Sequence, residues 1–150
     1  MQIAVAQVVA NGELMFPHVG QHRSHCVAKR VPADAGAHRK VIAAIGDGSF
    51  QYSIQSLWTA AQLRLPMLIV VPRNDEYCIL KSFAVLAETL GVPGLDILGF
   101  DVVSIAKGYG CDAARLDDLD SIKKAAVAAW SKSTPTVLEI PISAQVPSLI

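Results

Sequence analysis

The sequence predicts an α/β fold: an open, mostly parallel sheet flanked by helices. Three observations carry that prediction. Short apolar runs end at Gly or Pro, stripes of apolar residues at helical spacing lie between those runs, and the 150-residue chain, 52% hydrophobic, is long enough to bury one real core.

Val41-Ile42-Ala43-Ala44-Ile45 closes at Gly46-Asp47-Gly48, the pattern of a strand buried on both faces that ends in a tight turn. A helix is predicted next, because Ile54, Leu57, Trp58 and Ala61 fall at i, i+3, i+4 and i+7, with Ser53 as N-cap and Pro66 beyond the end. Met67-Leu68-Ile69-Val70-Val71 reads as a second buried strand, stopped by Pro72. Strand, helix and strand form a βαβ unit, with a right-handed crossover and parallel strands. Residues 77–90 place Leu80, Phe83, Ala87 and Leu90 on one helical stripe, ended by Gly91-Val92-Pro93-Gly94. Asp101 to Tyr109 reads as a short helix capped by Gly110, and Cys111 to Leu116 as a third strand. Leu119 to Ser131 is an Ala-rich helix after an Asp-rich start, and Thr136 to Ile140 a last β-branched strand.

Residues 1–40 follow neither period. Asn11 to Lys40 contains two prolines, three isolated glycines and scattered His and Arg, which predicts loop or disorder. Charge divides at the same place. The 13 Lys+Arg balance 13 Asp+Glu overall, yet residues 1–40 carry five against two and all four histidines, while residues 41–150 carry eight against eleven. Two parts are expected: an irregular segment over 1–40 and an α/β domain over 41–150.

Several classes of function are excluded by the same reading. No apolar run reaches the roughly 18–20 residues that cross a bilayer, and no Lys or Arg precedes the apolar start, so neither membrane span nor secretory signal is expected. Three cysteines (Cys26, Cys78, Cys111) without CxxC spacing fit a reducing cytoplasm. Zero net charge gives no nucleic-acid footprint. His18, His22, His25 and Cys26 could imitate a zinc site, but their spacing fits no standard ligand pattern.

In an open parallel sheet, ligands bind outside the carboxyl ends of the strands. Gly46-Asp47-Gly48-Ser49 lies at such an end, before a helix whose free N–H groups and positive dipole end favour an anion such as phosphate. Arg73-Asn74-Asp75-Glu76 follows the next strand on the same edge, so Asp47 and Asn74, 27 positions apart, can meet. A carboxylate, an amide oxygen and loop carbonyls are hard ligands of the kind Mg²⁺ takes together with phosphate oxygens. A glycine's missing Cβ lets the backbone approach those phosphates. The bland alternative is an ordinary strand-to-helix turn. A GxGxxG dinucleotide fingerprint is rejected, because its third glycine would fall at Gln51.

Gly46-Asp47-Gly48-Ser49 with Asn74 resembles the GDG…N signature of thiamine diphosphate enzymes. The likeness extends through Tyr52-Ser53-Ile54, Leu57-Trp58-Thr59-Ala60-Ala61-Gln62, Pro66, Tyr77, Leu80, Phe83, Val92-Pro93-Gly94-Leu95-Asp96 and Ala106-Lys107-Gly108-Tyr109-Gly110. Over roughly residues 41–150 the chain looks like the C-terminal, diphosphate-binding domain of benzoylformate decarboxylases. The resemblance implies a thiamin diphosphate-binding fold, truncated at its N-terminal side, with thiamine diphosphate and Mg²⁺ as cofactors. Carried over by position, Asp47, the Asn74 side-chain oxygen and the backbone carbonyl of Glu76 are the implied metal ligands. Gly46, Gly48, Ser49, Tyr52, Tyr77 and Cys78 complete the cofactor contacts, and Leu80 and Phe83 line the aryl side of the substrate pocket. The implied reaction takes a 2-oxo acid to an aldehyde and CO₂, chemistry that belongs to the cofactor.

Without the family, core packing is the default for Leu80 and Phe83 on their apolar stripe. Cys78 reads as a packing residue, since residues 41–150 contain no histidine to activate it. Lys107 and Arg115 read as solvated. Three departures from the family stand out. The activating glutamate and catalytic histidines lie in upstream domains absent here, so no catalytic residue is nominated. The glycine-rich segment before the GDG strand is missing. Arg73, Asp75 and Glu76 occupy a loop often written with a second Asn and a Gly. Residues 1–40 are therefore expected to be a non-family start, from a frameshift or a truncation. The isolated chain is expected to be inactive, needing a pyrimidine-binding domain from another chain or subunit in an oligomer, with a binding-only module or a non-functional fragment as alternatives.

Overall fold

The structure, a computed structural model, describes residues 4–7 and 40–145. Ten elements follow in order: β1 (Ala4–Gln7), β2 (Val41–Ala44), α1 (Asp47–Phe50), α2 (Ser56–Gln62), β3 (Met67–Arg73), α3 (Cys78–Leu86), α4 (Val102–Gly108), β4 (Asp112–Arg115), α5 (Leu119–Trp130) and β5 (Thr136–Pro141). The strands form one parallel sheet in the order β1-β2-β3-β5-β4. This is the α/β architecture expected from the sequence.

Period-2 alternation within each strand feeds two cores. Val41 and Ala43 of β2, Met67, Ile69 and Val71 of β3, and Val137 of β5 pack with Phe50, Leu57, Ala60, Val102 and Ala106 on the face covered by α1, α2 and α4. Leu68 and Leu138 point the other way, onto Ala129 of α5, with Ile42, Val70 and Ala114 around them. Apolar side chains on both faces are what helices on both sides of a parallel sheet require.

The structure corrects several expectations. β1 pairs with β2 from Ala4↔Val41 to Gln7↔Ala44, so the expectation that residues 1–40 join no part of the sheet fails at Ala4–Gln7. Residues 8–39 lie outside the described residues, and with them His18, His22, His25, Cys26 and the missing-glycine argument. Pro72 does not stop β3, which runs on to Arg73. The Val70 carbonyl accepts from Ile45, so alternate peptides of β3 face β2. Pro72 faces that side opposite Ile45, just past the end of β2, so its missing N–H ends the pairing with β2 while β3 stays paired with β5 through Arg73.

The helix expected from Ile54 starts two residues later, and an unexpected turn of helix precedes it. α1 is a single turn, and α2 begins at Ser56 with Gln55, not Ser53, in the N-cap position. Leu57 and Ala60 are buried there, whereas Trp58 is half-exposed. α3 is shorter than predicted, and its apolar stripe faces outward: Leu80, Phe83 and Leu90 are exposed, and Ser82 is the residue of α3 that is buried. Core packing, the default for Leu80 and Phe83, is therefore not their role among the described residues. α4 and α5 match their predicted starts. Asp101 accepts from the Ser104 amide at 2.9 Å, and Asp118 from the Ser121 amide at 2.8 Å, the N-cap bond that satisfies an otherwise unpaired helix donor.

Candidate functional site

β2 and β3 are adjacent, and their carboxyl ends deliver the Gly46–Ser49 and Arg73–Glu76 turns to one edge of the sheet. A cleft of about 230 Å³ opens there. Gly46, Asp47, Gly48, Ser49, Asn74, Glu76, Tyr77 and Cys78, all expected from the sequence, line it, with Pro72, Ile79 and Ile142 as its apolar walls. Tyr52, Leu80 and Phe83 do not; each is exposed.

Asp47 is the centre of the site. The residue is only 3% exposed, and three backbone amides converge on its carboxylate. Gly48 donates to Oδ1 at 2.8 Å, Asn74 to Oδ2 at 3.2 Å and Asp75 to Oδ2 at 2.8 Å. Among the described residues, no Lys or Arg pairs with it. A buried carboxylate is costly unless its charge is matched. The amides supply part of that match, and a cation in the cleft would supply the rest.

Asn74 and Glu76 offer the complementary oxygens. Among the described residues Asn74 Oδ1 accepts a single long bond, 3.4 Å from the Glu76 amide. The 75–77 segment pairs with 95–97 through the Asp75 carbonyl, which accepts from Ile97 at 2.7 Å, and the Tyr77 amide, which donates to Leu95 at 2.8 Å. Those bonds use the Asp75 carbonyl and the Tyr77 amide on either side of the Glu76 carbonyl and leave that carbonyl without a donor among the described residues. Carboxylate, amide oxygen and free carbonyl form an all-oxygen donor set suited to Mg²⁺.

The phosphate-facing side differs from expectation in one respect. α1 is one turn of four residues, too short for a substantial dipole, and the Gly48 amide turns back to Asp47 instead of serving a ligand. The free donors are the Ser49 amide and hydroxyl, which have no protein partner among the described residues. Gly48 matters sterically, because a Cβ there would lie 2.5 Å from Tyr77 Cε1 and 3.2 Å from Ile97 Cδ1. Only glycine lets the Tyr77 ring close against this turn. Burial raises the Tyr77 phenol above its ordinary value, helped by the neighbouring Tyr52 phenol.

Cys78 is a half-buried thiol whose Sγ lies 3.7 Å from the Gln145 carbonyl. Burial, and then the charge of Glu76, push its pKa up, which suits the packing role and not that of a thiolate nucleophile. Lys81 bridges Glu76 and Asp96, reaching Asp96 Oδ1 at 2.6 Å.

Sequence reasoning missed a second group of residues. Arg73 at the end of β3 bonds both Asp75 and Glu139, and Arg115, expected to be solvated, reaches Glu139 Oε1 at 3.4 Å. The available signal was Glu139 itself, one charge inside the apolar run Thr136–Pro141; a residue of that type is rarely buried unless paired.

The model of a known family, described as thiamine pyrophosphate enzyme, C-terminal TPP binding domain, matches residues 5–140. A benzoylformate decarboxylase of Pseudomonas aeruginosa is 37% identical over 135 residues, which are 87% of this chain and 25% of that protein. Among solved structures, benzoylformate decarboxylase from Polynucleobacter necessarius superposes with a TM-score of 0.76 at 38% identity, covering 81% of this chain and 23% of that one. A thiamine diphosphate-dependent 4-hydroxybenzoylformate decarboxylase of Rhodococcus jostii gives 0.72 at 35% identity, over 77% and 23% of the two chains. The chain thus spans about a quarter of the length of such relatives.

Proposed function

The chain belongs to the thiamine pyrophosphate enzyme family, as its C-terminal TPP-binding domain, and from that premise we propose that it holds the diphosphate of thiamine diphosphate through Mg²⁺ and serves a 2-oxo-acid decarboxylase similar to benzoylformate decarboxylase. The observation that carries the reading is the Asp47 carboxylate, buried and held by three amides without a cationic side chain among the described residues.

Asp47, Asn74 Oδ1 and the Glu76 carbonyl are assigned as the metal's protein ligands. The Ser49 amide and hydroxyl are assigned to diphosphate oxygens, and Gly48 keeps the turn close to Tyr77. The cofactor, when bound, supplies the electron sink that lets a 2-oxo acid lose CO₂ and leave as an aldehyde. This chain binds and orients; the described residues contain no histidine to move a proton. Proton transfer, and most of the substrate pocket, are assigned to a pyrimidine-binding domain of another chain or subunit. Leu80 and Phe83, exposed on α3, are assigned to the substrate's aryl side in contact with such a partner. A cytoplasmic setting fits the cysteine usage, and no helix among the described residues is long and apolar enough to cross a membrane.

Calorimetric titration of the chain tests the reading: heat is expected only when thiamine diphosphate and Mg²⁺ are both present, and its absence overturns the proposal. Asp47→Ala is expected to abolish the metal-dependent binding, whereas retained affinity would show the ligand assignment to be wrong. Benzoylformate is expected to yield no aldehyde with the chain alone; turnover without a partner refutes the division of labour. Binding that never becomes turnover with any pyrimidine-binding partner marks a binding-only module.

A further inference from the structure

Asp75 sits in the turn that carries the proposed metal ligands, and its backbone is left-handed, with φ of 60°. Asp visits that region more often than most residues, but less freely than glycine. Three bonds hold it there. Its amide donates to Asp47 Oδ2 at 2.8 Å, its carbonyl accepts from Ile97 at 2.7 Å, and its Oδ1 accepts from Arg73 Nε at 2.6 Å. The left-handed residue reverses the chain between the two amides that face Asp47 and the Glu76 carbonyl beyond them.

Arg73 is itself locked. Its Nη1 donates to Glu139 Oε1 at 2.9 Å, and Glu139 is 1% exposed within β5. Arg115 of β4 approaches the same oxygen. One guanidinium therefore ties a buried carboxylate of the central sheet to the residue whose amide holds Asp47. The planar fork of arginine can serve two carboxylates at fixed angles, which a lysine ammonium cannot do in the same way.

We propose that Arg73, anchored on Glu139, is the positioning residue of the metal-binding turn: it keeps Asp75 left-handed, so that the Asn74 and Asp75 amides meet Asp47 Oδ2 and fix the direction of that carboxylate. The geometric part stands on the structure alone; its consequence for Mg²⁺ rests on the assignment of Asp47 as a ligand. Glycine at position 75 would need no such clamp, because it adopts positive φ unaided.

Amide hydrogen exchange of the full chain, read by NMR without metal, tests the geometry. Arg73→Lys keeps a positive charge beside Glu139 and so guards the fold. It is expected to speed exchange at Asp75 by about tenfold or more, while Ile69 in β3 stays protected. Adding Asp75→Gly to Arg73→Lys is expected to restore slow exchange at position 75. Unchanged exchange in Arg73→Lys overturns the proposal. So does acceleration that spreads to Ile69 and is not reversed by Asp75→Gly, since Arg73 would then merely stabilise the sheet. Titration with Mg²⁺ and thiamine diphosphate reads the consequence: affinity is expected to fall in Arg73→Lys and recover in the double variant. If the parent chain fails to bind while the exchange pattern holds, the ligand assignment fails and the positioning role stands. If the parent binds and Arg73→Lys binds equally well, the positioning role is refuted.

Discussion

A methyl group on Gly48 would collide with the Tyr77 ring at 2.5 Å. Gly48→Ala is therefore expected to destabilise the fold by about 1–3 kcal/mol, the usual cost of overpacking, and to weaken cofactor binding. Thermal melting and titration check this, and Tyr77→Ala in the same chain should return part of the lost stability. Cys111 makes a pH prediction. It is buried, and burial raises its pKa from 9.0 to about 11. A thiol that is harder to ionise in the folded state favours folding below pH 9, and that contribution is lost as pH rises from 9 toward 11. The parent chain is expected to lose on the order of 2 kcal/mol relative to Cys111→Ala across that window, measured as the difference between their denaturation curves; parallel curves would refute it. At this scale Asp47, Asn74 and the glycines were legible in the sequence, because their spacing follows from strand and turn lengths. Arg73, Asp75 and Glu139 were not, because a pair 66 positions apart forms only through sheet order.

The starts of α4 and α5 were read more accurately than the face of α3. Asp101 and Asp118 cap α4 and α5 through bonds to residues three positions on, so local sequence contains the whole interaction. The Asp118 carboxyl is held below its ordinary value by its bond to the Ser121 side chain and then by the Ser121 amide. A carboxylate with a lowered folded pKa contributes stability above its unfolded value of 3.8, lost as pH falls through the folded value. Asp118→Ala is expected to lower the melting temperature at pH 7, with a smaller gap to the parent chain near pH 3; an equal gap at both would show that the cap's charge contributes nothing. The stripe on α3 misled because periodicity reports which residues share a face, not what that face meets. Pro72 misled for a related reason: whether a missing N–H matters depends on the neighbouring strand's end.

At the scale of the molecule, seven of the thirteen exposed large apolar residues among the described ones fall in the stretch from Leu80 to Leu98, including Phe83, Leu86, Leu90 and Val92. Exposed apolar surface of this kind promotes association. The chain is expected to self-associate as concentration rises, and Phe83→Lys with Leu86→Lys to reduce that association, both read by light scattering; a particle size independent of concentration would contradict it. Leu80 and Phe83, proposed to meet a partner domain at the substrate's aryl side, lie in the same stretch. By itself the sequence determined the α/β class, the buried two-faced strands, the starts of α4 and α5 and the meeting of Asp47 with Asn74, because each depends on residues within one element or at the ends of two adjacent strands. Only the tertiary structure decided the place of Ala4–Gln7 beside β2, the outward face of α3, and the Arg73–Glu139 clamp on Asp75. Those depend on sheet order and on what covers each face, and contacts between distant segments leave no period in the local sequence.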